Sequence, residues 1–213
     1  MTHLRKPFSL GGLQLPNNIF YAPLAGCTDL PFRRMASAYN PGLMFCEMVK
    51  MDALARNDVR TLRLLEYDEA MRPLGAQIFG GRVECAGPAA RIIEELGFDS
   101  IDLNCGCPVK KVVNDRGGAS LLKDPSLIGD LIAEMVAHTS IPVTAKIRVG
   151  WDVESINVEE VVRTIEAAGA VAVTVHGRTR AQGYRGEVNY EYIRRAKQAA
   201  KKIPVIGNGD IFD

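Results

Sequence analysis

The chain contains no stretch approaching the roughly 20 apolar residues that a membrane-spanning helix needs. Its opening residues, MTHLRKPFSLGG, lack the continuous apolar segment of a secretory leader. Charge of one sign is missing too: 26 Lys and Arg stand against 25 Asp and Glu, a net charge of +1. That balance neither demands nor excludes a nucleic-acid partner. Cysteine is sparse, five in 213 residues with no framework spacing, which predicts a reducing, cytoplasmic setting rather than disulfides. Cys105 and Cys107 have no second Cys/His pair nearby, so a zinc site is not expected. There is no G-x-G-x-x-G after the first apolar run, and hence no support for a Rossmann nicotinamide site. A Walker loop, an H-E-x-x-H and a nucleophile elbow are also absent. No linker or repeat divides the chain, and 47% hydrophobic with 24% charged residues suits one globular domain over residues 1–213.

What is present is organised around IDLNCGCPVKKVVNDRGGASLL, residues 101–122. An apolar run ends in Asn104, and a Gly-Cys-Pro turn follows. A polar amide and a thiol therefore stand at the mouth of a sheet. Lys110, Lys111 and Gly117-Gly118 read as a basic, glycine-bearing loop able to approach a phosphate closely. The alternative is that the cysteines are small buried hydrophobes.

The rest of the chain supplies the context. Phe8–Leu15 reads as a hairpin turning at Gly11-Gly12. Strand-like runs are expected at 19–22, 43–46, 74–78, 100–103, 143–147, 170–175 and 204–206. Helical stretches are expected at 83–96, 126–138, 158–168 and 190–201, the first and third stopped by Gly97 and Gly169. Continuous apolar strands alternating with amphipathic helices imply β/α units around a parallel sheet. Seven such units fit a TIM-type (β/α)8 barrel, here incomplete, better than a doubly wound sheet.

Polar residues recur at the carboxyl ends of these strands, the face on which barrels build active sites. Glu47 closes the second, Gln77 lies in the third, and Asn104 with Cys107 ends the fourth. Lys146 and Arg148 end the fifth, His176 and Arg178 the sixth, and Asn208-Gly209-Asp210 the seventh. Gln77 and Asn104 can offer amide donors and acceptors to a heterocycle's edge. Lys146 suits a negatively charged ring, or it is a lysine snorkelling from a strand end. His176 suits a carbonyl oxygen, or it is structural. The glycines around Asn208 leave N–H groups for a phosphate or ribityl chain, or form a tight turn.

Six segments carry a family resemblance: APLAGCTDLPFR, GAQIFG, IDLNCGCPVKKVVNDRGGASLL, PVTAKIRVGW, VTVHGRTR and IPVIGNGDI. In this order, from about residue 15 to the last residue, they resemble tRNA-dihydrouridine synthases, most nearly the bacterial B-type branch. The resemblance implies an FMN-dependent oxidoreductase that reduces the C5–C6 double bond of uridines in tRNA, with NADPH regenerating the flavin. It implies hydride delivery to C6 and proton donation to C5 by the cysteine before proline, Cys107. Cys105 falls at a variable position. Flavin contacts carry over to Pro23, Leu24, Ala25, Gln77, Asn104, Lys146, His176, Asn208, Gly209 and Asp210. Arg148 and Arg178 match basic positions for substrate or tRNA, and Lys110, Lys111, Arg180 and Arg185 suit the tRNA backbone. A cysteine acting as an acid must stay protonated, so a strongly depressed thiol pKa is not expected.

The sequence departs from the family at its end. Asp213 follows the seventh strand directly, without an eighth strand or the family's C-terminal helical, tRNA-binding domain. The expectation is therefore a C-terminally truncated FMN-binding barrel. Two rivals stand beside it: another FMN barrel reductase of the dihydroorotate dehydrogenase type, and a non-catalytic remnant.

Overall fold

A computed structural model describes residues 5–211. The chain opens with an antiparallel hairpin, β1 (Phe8–Leu10) and β2 (Leu13–Leu15), turning at Gly11-Gly12. Seven parallel strands follow: β3 (Phe20–Tyr21), β4 (Leu43–Lys50), β5 (Leu74–Phe79), β6 (Ser100–Cys105), β7 (Val143–Arg148), β8 (Ala172–His176) and β9 (Val205–Asn208). Each pairs with the next in chain order. Between them run α1 (Leu30–Ser37), α2 (Met51–Leu54), α3 (Val59–Leu64), α4 (Val83–Glu95), α5 (Lys110–Asn114), α6 (Pro125–His138), α7 (Val158–Ala167) and α8 (Tyr190–Ala199). No helix among the described residues is long and apolar enough to cross a membrane.

The sheet curls. Phe20 of β3, Leu43 and Phe45 of β4, Ala172 of β8 and Ile206 of β9 join Leu10 and Leu15 of the hairpin in one apolar cluster. Strands from opposite ends of the strand order can share a cluster only if the sheet bends round to enclose it. The hairpin supplies the floor of this interior. The opposite faces of the strands pack against the helices in a larger core, where Leu103, Cys105, Ile147 and Val175 meet Ile93, Leu131 and Val161. Burying each large aliphatic side chain contributes about 1.5–3 kcal/mol, so these two layers account for most of the driving force. The result is an incomplete (β/α) barrel of seven parallel strands.

Several element limits differ from the sequence expectation. β3 is only two residues long, and β8 and β9 begin later and end at His176 and Asn208. β4 runs on to Lys50, so Glu47 sits inside it rather than at its end. The reason is a bulge: Phe45 pairs with Gly75 but Met48 with Gln77, so β4 spends an extra residue over that step. The 110–118 stretch is not an open basic loop. Lys110–Asn114 forms a helical turn with both lysines exposed, and a 3-10 turn covers Gly118–Lys123.

Candidate active site

A cleft of about 530 Å³ opens at the carboxyl ends of the strands, within the roughly 300–1,000 Å³ range of small-molecule sites. It is lined by the loop after β3 (Ala22–Ala25, Cys27), by Met48, Gln77 and Asn104, by Gly106–Val109, by Lys146, Arg148, His176, Arg178 and Tyr184, and by Asn208–Asp210. Cys107, the ten residues expected at a flavin, Arg148 and Arg178 therefore meet in one place, whereas Glu47, Lys110, Lys111, Arg180 and Arg185 do not line the cleft.

Strand register explains how. Gln77, Asp102 and Thr144 are lateral neighbours on β5, β6 and β7. One step higher Asn104 pairs with Lys146, and higher again Arg148 pairs with His176 and His176 with Asn208. Because side chains alternate along a strand, residues two apart face the same way. Asp102 and Asn104 thus point inward while Cys105 points into the helix-side core, fully buried. The two cysteines have separate fates.

Hydrogen bonds lock the cleft floor. Thr144 Oγ1 donates to Asp102 Oδ1 at 2.6 Å and Gln77 Nε2 to Asp102 Oδ2 at 2.7 Å. Asn104 Nδ2 donates to Gln77 Oε1 at 2.7 Å, and Asn104 Oδ1 accepts the N–H groups of Gly106 and Cys107 at 3.1 and 2.9 Å. The Cys107 carbonyl accepts the N–H of Ala119 at 3.0 Å. A Cβ on Gly118 (φ +57°) would lie 2.7 Å from that same carbonyl. Gly118 serves the close seating of the thiol loop, not the approach to a phosphate that the sequence indicated. Glu47 fixes the opposite wall, its carboxylate accepting the Gly26 N–H.

Two arginines brace the rim. Arg148 donates from Nε to Gly106 O at 2.8 Å and from Nη1 to the carbonyls of Thr179 and Gly183 at 2.9 and 2.7 Å. Arg178 makes a bidentate pair with Asp210 at 2.9 and 2.6 Å and also holds Gly186 O. Asp210 further accepts the N–H of Val188, and the Tyr190 hydroxyl donates to its carbonyl. The Arg178 fork is thus engaged within the protein, where it ties the end of β9 to the β8 loop. A Cβ on Gly209 (φ +100°) would come 2.6 Å from the His176 ring, so the backbone passes the imidazole at a distance only glycine allows.

The electrostatics follow from burial and neighbours. Desolvation pushes the Cys107 thiol up, against the pull of the Val109 N–H and Arg148, so it is protonated at neutral pH. Desolvation lowers Lys146 to about 8, opposed by Asp102; its amine donates to Asn208 Oδ1 at 2.9 Å and remains charged at pH 7. Burial, with Arg148, Lys146 and Arg178 nearby, drives His176 to about 3. The neutral imidazole accepts at Nε2 from Arg178 Nη1 at 3.4 Å, which leaves Nδ1 as a donor. Burial raises Asp102 to about 6 despite its bonds to Gln77 and Thr144.

Some functional residues were invisible to sequence reasoning. Asp102 and Thr144 look like ordinary mid-strand residues. Met48 reaches the cleft only through the bulge. Tyr184, 73% exposed, lies in a loop without periodicity, with the Arg148 guanidinium carbon 5.5 Å from its ring centre. Among the described residues no three His, Cys, Asp or Glu side chains gather to hold a metal ion.

Seven inward-curling strands, six of them followed by helices, with a floor closed by the hairpin and a polar, thiol-bearing mouth define an incomplete (β/α) barrel with its cleft at the strand ends. The family model described as dihydrouridine synthase (Dus) matches residues 20–213, and the chain belongs to that family. It is 41% identical to a probable tRNA-dihydrouridine synthase 1 of Synechocystis sp., over 97% of this chain and 58% of that protein. It is 42% identical to tRNA-dihydrouridine synthase B of Pseudomonas aeruginosa, over 95% and 60% respectively. The chain thus spans about 60% of the length of these relatives. Among solved structures it is similar in fold to morphinone reductase, with TM-score 0.66 and 13% identity over 99% of this chain and 80% of that one. It is similar also to 2-naphthoyl-CoA reductase, with TM-score 0.70 and 12% identity over 96% and 46%.

Proposed function

We propose that this chain is the FMN-binding catalytic part of a tRNA-dihydrouridine synthase, reducing the C5–C6 double bond of a tRNA uridine with NADPH as the reductant. The observation that carries the reading is the thiol of Cys107, half-buried in the cleft, kept protonated by its surroundings, and aligned by Asn104. A protonated thiol beside a pyrimidine can donate the proton that C5 requires.

The donor set fits a flavin ring. Gln77 and Asn104 offer amide edges, Lys146 a half-buried positive charge for an electron-rich ring edge, and His176 a neutral N–H donor. Pro23, Leu24 and Ala25 line one side of the cleft, and the turn Asn208–Asp210 lines the other end. FMN, when bound, supplies the hydride that saturates C6. Every other requirement falls to the chain: Cys107 holds the proton, Asn104 and Gly118 hold Cys107, and Arg148 holds the Gly106 carbonyl beside it. Tyr184, exposed and lining the cleft beside Arg148, offers a ring on which an extruded uracil would stack. Arg178 acts as a clamp on Asp210 rather than as a substrate contact. A tRNA substrate puts the reaction in the cytoplasm.

The test is a visible absorption spectrum of the purified, desalted chain, followed by assay of dihydrouridine formation in an unmodified tRNA transcript. Flavin bands together with NADPH-dependent dihydrouridine formation, abolished in Cys107→Ala, are expected. A protein that cannot be reconstituted with FMN, or that oxidises free dihydroorotate and reduces no tRNA uridine, overturns the reading.

A further inference from the structure

Three of the loops on the cleft side meet at Trp151. Lys123 ends the 3-10 turn that follows β6, Trp151 follows β7, and Arg180 follows β8. Lys123 Nζ lies 3.6 Å from the Trp151 ring centroid and the Arg180 guanidinium carbon 4.3 Å from it. The loops are stapled to one another. Arg180 N–H donates to Gly150 O at 3.0 Å, Ala181 N–H to Trp151 O at 2.9 Å, and Asn157 Nδ2 to Leu122 O at 2.7 Å. The loop backbones that carry the two cations are therefore tied to one another.

Neither has a counter-charge. Among the described residues no ion pair includes Lys123 or Arg180, and Arg180 Nε is buried without a hydrogen-bond partner. The nearest acids in sequence are engaged elsewhere: Asp124 caps α6 through the Leu127 N–H, and Asp152 takes the Ser155 hydroxyl and Glu154 N–H. An indole face returns about 0.5–1 kcal/mol per exposed cation, but two like charges converging on one ring repel each other. An anion bridging them turns that repulsion into attraction, and the Arg fork with the Lys point charge matches a phosphate.

The position identifies the anion. Thr179, next to Arg180, gives its carbonyl to Arg148, and Arg148 lines the cleft. The pair thus stands at the rim, where a nucleotide entering the cleft carries its flanking phosphodiester. We propose that Lys123 and Arg180, seated on Trp151, form a binding site for a backbone phosphate of the RNA substrate. This rests on the functional reading above.

Trp151 is the single tryptophan of the chain, so its emission reports on this site without reference to flavin or turnover. An unmodified tRNA transcript titrated into the full chain is expected to change that emission saturably, with the midpoint weakening as salt rises. Lys123→Ala with Arg180→Ala, checked for native circular dichroism, is expected to weaken RNA binding roughly tenfold and to flatten the dependence of log Kd on log salt by about one unit. Lys123→Arg should keep wild-type affinity. RNA bound, by fluorescence anisotropy of labelled transcript, with unchanged emission and unchanged affinity in the double variant would overturn the site and leave the functional reading standing. A saturable emission change with NADPH and none with RNA would overturn it in favour of the reductant's 2′-phosphate. A folded chain that binds no RNA at any salt would overturn both.

Discussion

The amide oxygen of Asn104 accepts the backbone N–H of Cys107 at 2.9 Å, so the orientation of one side chain decides where the thiol stands. That orientation is imposed from below. Gln77 Oε1 accepts from Asn104 Nδ2, and Gln77 Nε2 donates in turn to Asp102 Oδ2. Asp102→Leu removes the acceptor at the base of this chain and lets Gln77 and Asn104 turn. A misplacement of about 1 Å costs on the order of 10²-fold in rate, and a loss of that size in single-turnover dihydrouridine formation is expected. Asp102→Asn, whose carbonyl oxygen still accepts from Gln77, should recover most of it. Equal losses in both variants would count against the relay.

The two neighbouring cysteines should separate cleanly. Cys107→Ala removes the acid and is expected to lower turnover by about 10²–10⁴-fold while flavin stays bound. Cys105 lies in the helix-side core beside Ile147 and Leu103. Cys105→Ala should leave turnover nearly intact and lower stability by about 1 kcal/mol, read from the urea midpoint.

Lys146 is held at about 8 when folded, against its ordinary value of 10.5. Between those values the unfolded chain binds the proton and the folded chain does not. Stability therefore rises with pH across that window, and below about 8 the half-buried charge is a cost. Lys146→Met should accordingly be more stable than the parent at pH 7, on the order of 2–3 kcal/mol, and should lose that advantage above about pH 10.5. Urea midpoints of the two proteins across pH 6–11 would check this. Flavin affinity should fall in the same variant.

At Gly118 the backbone is left-handed and an added methyl would lie 2.7 Å from the Cys107 carbonyl. Gly118→Ala is expected to destabilise the chain by about 1–3 kcal/mol. It should also reduce turnover more than its effect on the melting temperature would account for. Gly183, where nothing lies within 4 Å of the added carbon, is the control: Gly183→Ala carries the φ penalty without touching the thiol.

The seven strands were legible because strands buried on both faces read as apolar runs bounded by turn residues. Their order on the barrel followed from simple alternation with helices. The same signal could not show where β4 ends. Glu47 looks like a terminus, yet its carboxylate finds the Gly26 N–H and the strand continues through a bulge that no periodicity encodes. Of the site, Asn104, Cys107, Lys146 and His176 were visible as polar groups closing apolar runs. Asp102 and Thr144 were not, since a polar residue alternating with apolar ones is what any half-exposed strand shows. Only the curl of the sheet turns them inward. Gly117-Gly118 was read as an approach to phosphate because glycine beside lysine admits that reading. Packing against Cys107 is a long-range fact that composition does not carry.

The hairpin beneath the barrel has a kinetic consequence. Leu10 and Leu15 close the floor, so nothing enters the cleft from beneath. On the function proposed above, an RNA and a dinucleotide arriving at the strand ends would compete for the same mouth. Each would have to vacate it for the other, so the two half-reactions alternate in time. In steady state such turn-taking draws parallel lines in a double-reciprocal plot.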